Sequence, residues 1–251
     1  MTTRRFPNRI FGDYPVPYEV YKEQLYPFGQ VLELPAGQIF RFGRMGGTIG
    51  VAATLYQSEV PNAQFGTMAV QTAMVAGDTS ILYTNGTVSI TENEFTEGTI
   101  IVESAAALGH IYPVKSHGSG GSGATITANL MDGVTVQAAV TTSEKVTALK
   151  NPWLDTVICT TANTAMLCGV PQLIVEIAHH SWFQTHGFAS IRDEGAVTIV
   201  GKPARRSETT AGSVTFMDMD EGSSAADDGL CGIALQVGVT GDFIGIFLKI
   251  D

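Results

Sequence analysis

Residues 124–140 read ATITANLMDGVTVQAAV, and this stretch sets the fold class. Apolar residues (Ala124, Ile126, Ala128, Leu130) alternate with Thr125, Thr127 and Asn129, and a second β-branched run follows Asp132-Gly133. A period of two puts successive side chains on opposite faces of a strand, one face for a core and one for water. Asp-Gly readily takes the positive φ angles of a tight hairpin turn. Ala124–Leu130 and Val134–Val140 are therefore expected to pair as a hairpin. The same pattern flanks Asn85-Gly86, which predicts a second hairpin from Ile81–Thr84 and Thr87–Ile90.

Working outward, further strands are expected at Thr99–Val102, Ile111–Val114, Thr156–Thr160, Leu173–Ile177, Ala196–Val200, Ser213–Met217, Gly232–Val237 and Phe243–Ile250. Thr67–Val75 reads as a short helix or a strand. Turn signals every eight to fifteen residues, with little helical periodicity, predict a mainly β chain built as an antiparallel sandwich or barrel.

The first forty-seven residues differ from this pattern. They hold five of the ten prolines (Pro7, Pro15, Pro17, Pro27, Pro35), with tyrosines and phenylalanines between them. Proline removes a backbone donor and biases its predecessor toward extended backbone, so helices and central strands are poorly served. An extended proline- and aromatic-rich N-terminal arm over 1–47 is expected, with a β-rich body over 48–251. The glycine–serine run at 118–123 marks either a hairpin tip or a subdivision of that body. The arm to Gly50 carries six basic and four acidic residues, net +2, whereas the whole chain is −10, which leaves −12 on the rest. A basic arm on an acidic body suits reaching across to an acidic neighbour, another copy included. Arg4, Arg5, Phe6, Arg9, Phe11, Tyr14, Tyr18 and Tyr21 are the candidate interface residues, since Arg and Tyr are enriched at interface hot spots. Such an arm should be removable without unfolding the body.

Composition narrows the function classes. Charged residues are 15% of the chain, against roughly 25% in ordinary soluble domains, as expected where surface is hidden in an assembly. The acidic body argues against nucleic acid, which demands clustered Lys and Arg. No run of about 18 apolar residues predicts a membrane helix, and no apolar segment behind the N-terminal arginines predicts a signal peptide. Three cysteines, Cys159, Cys168 and Cys231, lie in apolar or glycine-rich text and read as buried thiols.

Motifs for chemistry are weak throughout. Gly118, Gly120 and Gly123 match the dinucleotide spacing, but β-branched text follows where a helix would be needed. His179, His180 and His186 lie in HHSWFQTHG with Trp182 and Phe183. Adjacent histidines on a strand face opposite ways, so the segment reads as a packed aromatic corner rather than a zinc site. The acidic run at 218–228 departs from the EF-hand pattern and reads as a solvated loop, with a weak calcium site as the alternative. No catalytic, cofactor or metal residue is assigned.

Five pieces carry a family resemblance: LPAGQIFRFGRMGG (34–47), EGTIIVESAAALGHIYPVKSH (97–117), AAVTTSEKVTALKNPW (138–153), SWFQTHG (181–187) and the closing GVTGDFIGIFLKID. In content and order they resemble structural proteins of tailed-bacteriophage virions, of the capsid cement or decoration kind. His186 stands where the family pattern has Arg, and the glycine–serine insert is not a fixed feature of that pattern. The resemblance implies a non-enzymatic protein on the capsid exterior, made in the host cytoplasm. It would contact the major capsid protein and other copies of itself, and tie neighbouring capsomers together. Two alternatives are a tail or head–tail connector component, and a β-rich hydrolase or carbohydrate-binding domain around His179, Trp182 and His186. An exposed Trp182 beside a cleft would favour the last of these; a buried one would count against it.

Overall fold

In the computed structural model, which describes residues 6–103, 107–195, 199–217, 229–239 and 241–251, the chain is mainly β and forms two units. One contains the continuous segment Pro61–Asn151; the other joins residues 6–60 with Pro152–Asp251. The division thus falls at neither residue 47 nor the glycine–serine run, which connects two strands inside the first unit. In chain order the strands are β1 (Arg9–Phe11), β2 (Val31–Glu33), β3 (Ile39–Arg44), β4 (Tyr56–Gln57), β5 (Met68–Ala69), β6 (Ser80–Thr84), β7 (Thr99–Val102), β8 (Ile111–His117) and β9 (Thr125–Leu130). There follow β10 (Lys145–Leu149), β11 (Val157–Ile158), β12 (Leu167–Pro171), β13 (His180–Arg192), β14 (Pro203–Arg206), β15 (Val214–Phe216), β16 (Gly232–Ala234) and β17 (Phe243–Lys249).

In Pro61–Asn151 the strands run in the order β5-β10-β7-β8-β9-β6. The outer two meet: Val70 bridges Tyr83, and the Gln71 N–H donates to Leu82 C=O at 2.9 Å. The sheet is a closed barrel, and closure removes the exposed edges that invite stray pairing. Alternation decides what fills it. Ile126, Ala128 and Leu130 of β9, Ile81 and Tyr83 of β6, and Ile100 and Val102 of β7 all point into one core. His117 is also buried there. Its Nε2 accepts the Phe95 N–H at 2.8 Å, and its Nδ1 lies 2.9 Å from the Gly118 carbonyl, which places the proton on Nδ1.

Neither expected hairpin forms. Strand β6 pairs with β9, forty residues downstream, rather than with 87–90. Asn85 is instead buried, and its amide donates to the carbonyls of Val88 and Gly121. Residues 134–140 make scattered hydrogen bonds, Val136 to Asp78 and Val140 to Met74, without a ladder. Both Asx-Gly pairs end strands, but the partner of each strand comes from elsewhere. Leu173–Ile177 contributes only a bridge from Val175 to Gly50, and most of Ala196–Val200 lies outside the described residues.

The second unit carries an eleven-stranded sheet, with β1-β2-β3-β13-β17-β16-β14-β15 in line and β12, β4 and β11 branching from β13. Its far end curls round: Val214 of β15 bridges Asp193, and the Glu194 N–H bonds the Val214 carbonyl. Leu55, Cys159, Val170, Ile191, Ile244, Ile246 and Leu248 fill that curl. Strand β12 serves two neighbours, β4 and β13, and slips register between Leu167 and Gly169. Gly169 has φ +121°, and a Cβ there would sit 2.5 Å from the Gln184 carbonyl oxygen. Only glycine fits.

The N-terminal segment differs from the expected arm. Residues 31–44 are sheet strands, with β3 paired along β13. Pro35 does not interrupt them; it lies in the turn between them, where the Gly37 N–H returns to Leu34 C=O. Proline punctuates here, as it does in tight turns. Upstream, Tyr21 and His180 exchange backbone hydrogen bonds at 2.9 and 2.8 Å, and the Ser181 hydroxyl donates to Glu19 C=O. The Tyr26 ring lies 5.1 Å from Trp182 and 5.2 Å from Phe42. Residues 19–26 therefore pack on the chain's own core, where the sequence reading had an arm lying free of the body.

Candidate assembly surface

Strand β1 forms the open end of the sheet and points its side chains two ways. Ile10 turns toward the cluster of Leu32, Leu34, Phe40, Phe42 and Trp182. Arg9 and Phe11 face outward, and Phe11 is 78% exposed. Gly12 makes the close approach that ends the strand: a Cβ there would lie 2.5 Å from Leu32 Cδ1.

Cross-strand partners share a face. Phe11 therefore lies in a row with Glu33, Ile39, His186 and Lys249 across five strands. The next row along β13 is Phe188, Phe247 and Ile233. Phe188 and Phe243 are exposed. The Phe247 ring stands edge-on to Phe188 at 5.3 Å and to His186 at 5.2 Å. Tyr14 and Tyr18, both half exposed, are 6.0 Å apart. The Tyr14 hydroxyl donates to Gln38, whose amide donates to the Phe188 carbonyl. The tyrosines and Phe188 are thus linked through Gln38.

The charges on this side are largely engaged within the chain. Arg9 pairs with Glu33 and keeps about half its side chain in solvent. Arg41 grips Asp251 through Nε (2.7 Å) and Nη2 (2.9 Å), donates to Gly29 C=O and lies over Trp153. Hydrogen bonding to Arg41 holds the Asp251 carboxyl below the usual range, against the opposing effect of burial. Arg44 is tied to Asp155. Of these three arginines Arg9 keeps the most of its side chain in solvent.

Of the eight candidate interface residues, Arg9, Phe11, Tyr14 and Tyr18 present themselves to solvent. Phe6 and Tyr21 turn inward, Phe6 onto Tyr26 at 5.9 Å and Tyr21 onto Phe42 at 6.0 Å. Burial, and then the neighbouring Glu19 carboxylate, raises the Tyr21 phenol well above its ordinary value. Arg4 and Arg5 lie outside the described residues, as does the acidic run at 218–228 with its calcium alternative. Phe188, Phe243 and Phe247 were not among the candidates. The signal for Phe243 and Phe247 was in FIGIFLK, where they share one strand face and Ile244, Ile246 and Leu248 the other. A strand apolar on both faces has one set to spare for a partner.

The histidine-rich segment opens the thirteen-residue strand β13 rather than forming a corner. Trp182 is fully buried. His180 is stacked between Phe28 (5.8 Å) and Phe42 (5.7 Å). Burial lowers its pKa, helped by Arg44 and His179 and opposed by the Tyr21 carbonyl and Glu23. His179 bonds the Ile177 carbonyl, and His186 lies 3.3 Å from the Asp251 carbonyl. The three rings do not converge, and among the described residues no group of three or more His, Cys, Asp or Glu is placed to hold a metal. Cys159, Cys168 and Cys231 are buried free thiols, and desolvation pushes Cys168 well up. No helix among the described residues is long and apolar enough to cross a membrane. Compared with protein-family models, with curated proteins and with solved structures, the chain finds no match.

Proposed function

We infer that the chain is a non-enzymatic structural protein of a tailed-phage virion, seated on the outer capsid surface and cementing neighbouring capsomers through the major capsid protein and other copies of itself. The observation that carries this is the outward face of the second unit's sheet, where Phe11, Phe188 and Phe243 stand in solvent with Arg9 and two half-exposed tyrosines nearby. Aromatic and arginine side chains supply most of the energy of protein interfaces, and contiguous exposed apolar surface marks a docking site. The resemblance of five sequence segments to virion proteins supplies the class of partner. The burial of Trp182 counts against the carbohydrate-binding reading, which needed that ring at an open cleft.

The test is co-sedimentation of the purified chain with heads of its phage that lack it, followed by imaging. Wild type should decorate the shell at icosahedral copy number. The Phe11→Ser/Phe188→Ser double variant should bind at least about tenfold more weakly, as expected when hot-spot aromatics are removed. Undiminished binding by the double variant would overturn the assigned surface. Rings of six or twelve copies at one vertex would replace the cement role with that of a connector.

A further inference from the structure

We propose that β1 is a self-complementary edge through which two copies of this chain pair antiparallel about a twofold axis at Ile10. In the parallel pairing of β1 with β2, the Gly12 N–H bonds the Glu33 carbonyl, with Phe11 aligned to Glu33. In a parallel ladder alternate residues bond to a given neighbour, so Ile10 and Gly12 serve β2, and the N–H and C=O groups of Arg9 and Phe11 point away from it. Among the described residues β1 pairs with β2 alone, and no hydrogen bond outside that ladder uses the backbone of Arg9 or Phe11. The opposite end of the strand path is closed by the bridge from Val214 to Asp193, and the sheet of Pro61–Asn151 closes on itself. Edges are ordinarily covered or closed. Of the two ends of this strand path, β1 is the one left open among the described residues.

The occupant follows from the three residues themselves. Antiparallel pairing centred on Ile10 sets Arg9 of each copy opposite Phe11 of the other, and the four free backbone groups on each strand bond reciprocally. Each Arg9 guanidinium then lies beside the partner's Phe11 ring, a favourable cation–π neighbour, while its own Glu33 still flanks it. The two Ile10 side chains, each partly buried at the margin of the Leu32 cluster, meet as a non-hydrogen-bonded pair and extend that core across the junction. Pro7 before the strand and the turn after Gly12, closed by the Val16 N–H on the Asp13 carbonyl, restrict the ladder to three residues, so pairing closes as a dimer and does not propagate. Three residues a side bury well under the roughly 1,200 Å² of a stable interface. The pair is therefore weak in free solution and gains strength where copies are held side by side on a surface.

Self-pairing names the homotypic partner of the assembly role proposed above, and the two fail separately: shell binding can hold without it, and the isolated protein can pair without a shell. The test is disulfide trapping of the isolated full-length protein, whose native cysteines are all buried. Facing residues of a non-hydrogen-bonded pair have Cα atoms about 4.5 Å apart, within disulfide reach. Ile10→Cys should form a covalent dimer under mild oxidation. Asn8→Cys should not, because the two copies of residue 8 would stand about 13 Å apart along the strands. A mixture of Arg9→Cys and Phe11→Cys chains should give a heterodimer, which guards against a folding defect in Ile10→Cys. Ile10→Cys crosslinking no faster than Asn8→Cys, together with no heterodimer from the mixture, would overturn the pairing. So would Ile10→Cys linking in assembled particles to a different protein and never to itself.

Discussion

The segment Pro61–Asn151 and the rest of the chain solve the same β problem differently. The first closes its sheet and fills it almost wholly with apolar side chains; among its described residues the buried polar ones are Asn85, His117 and Glu144. The second leaves β1 open and buries many polar groups, among them Gln57, His180, Ser181, Gln184, Thr185, Arg205 and Ser207. The first unit satisfies most of its backbone through its own ladder, and few side chains are needed for the rest: Asn85 and His117 take up the backbone groups of Val88, Gly121 and Phe95. A branching sheet has irregular junctions, and side chains must take up the backbone groups that ladders miss. Ser181 binds the Glu19 carbonyl, Gln184 those of His186 and Phe188, and Arg206 that of Thr160. The open unit is the one that carries the exposed aromatics.

The contrast breaks most directly at Trp182. Replacing it by Ala should cost about 3–5 kcal/mol, as for other large buried aromatics, and should lower hydrogen-exchange protection in β3 and β13. Equal loss of protection in β7 and β10 would show that the two regions do not hold separate cores. At the β12 junction, Gly169→Ala should cost about 3 kcal/mol, combining a left-handed φ with overpacking against the Gln184 carbonyl. Gly109→Ala has φ +79° but open space, so it should cost only about 1 kcal/mol. Chemical denaturation of the pair separates crowding from conformation.

Within the barrel, His117→Leu should cost about 2 kcal/mol, because the Phe95 N–H is left buried without an acceptor. A change below experimental error would mean that the barrel tolerates that orphan. In the open unit, His180 gives a pH signature. Its folded pKa is depressed, so the unfolded chain takes up the proton first. Stability should be full above about pH 6.5, the ordinary histidine value, and fall as the pH drops toward the folded value. His180→Phe keeps the stack on Phe28 and Phe42 and should flatten that decline in thermal melts. The smallest effect belongs to Arg9→Ala. An exposed pair with Glu33 contributes about 0.5 kcal/mol or less to stability, yet the same change should weaken shell binding and reduce its salt dependence. Unchanged binding and salt response would shift the weight to Phe11 and Phe188.

Legibility followed the range of the interactions. Thr99–Val102 and the strands beginning at Ile111 and Phe243 were readable because alternation belongs to the strand alone. The longest strand, β13, was not: HSWFQT is buried on both faces, with Trp182 against Phe42 and Phe183 against Tyr56, and a register shift between Gln184 and His186 breaks the period. Without alternation the segment read as a corner. Strands β2 and β3 were hidden by flanking prolines that occupy turns. The interface residues divided similarly. Phe11, Tyr14 and Tyr18 are exposed, but nothing local separates Tyr18, in solvent, from Tyr21, packed on Phe42.

By itself the sequence determined the β class, the alternating strands, the buried thiols and the concentration of arginine and aromatic residues near the N-terminus. These are properties of composition and of a two-residue period, which each strand carries alone. Only the tertiary structure decided that β6 pairs with β9 rather than across Asn85-Gly86, and that one sheet closes while the other stops at β1. It also decided that Tyr21 and Tyr26 face the chain's own core while Phe188 and Phe247 face out. Pairing and facing are set by residues far apart in the chain, whose joint burial outweighs the local preference of any turn.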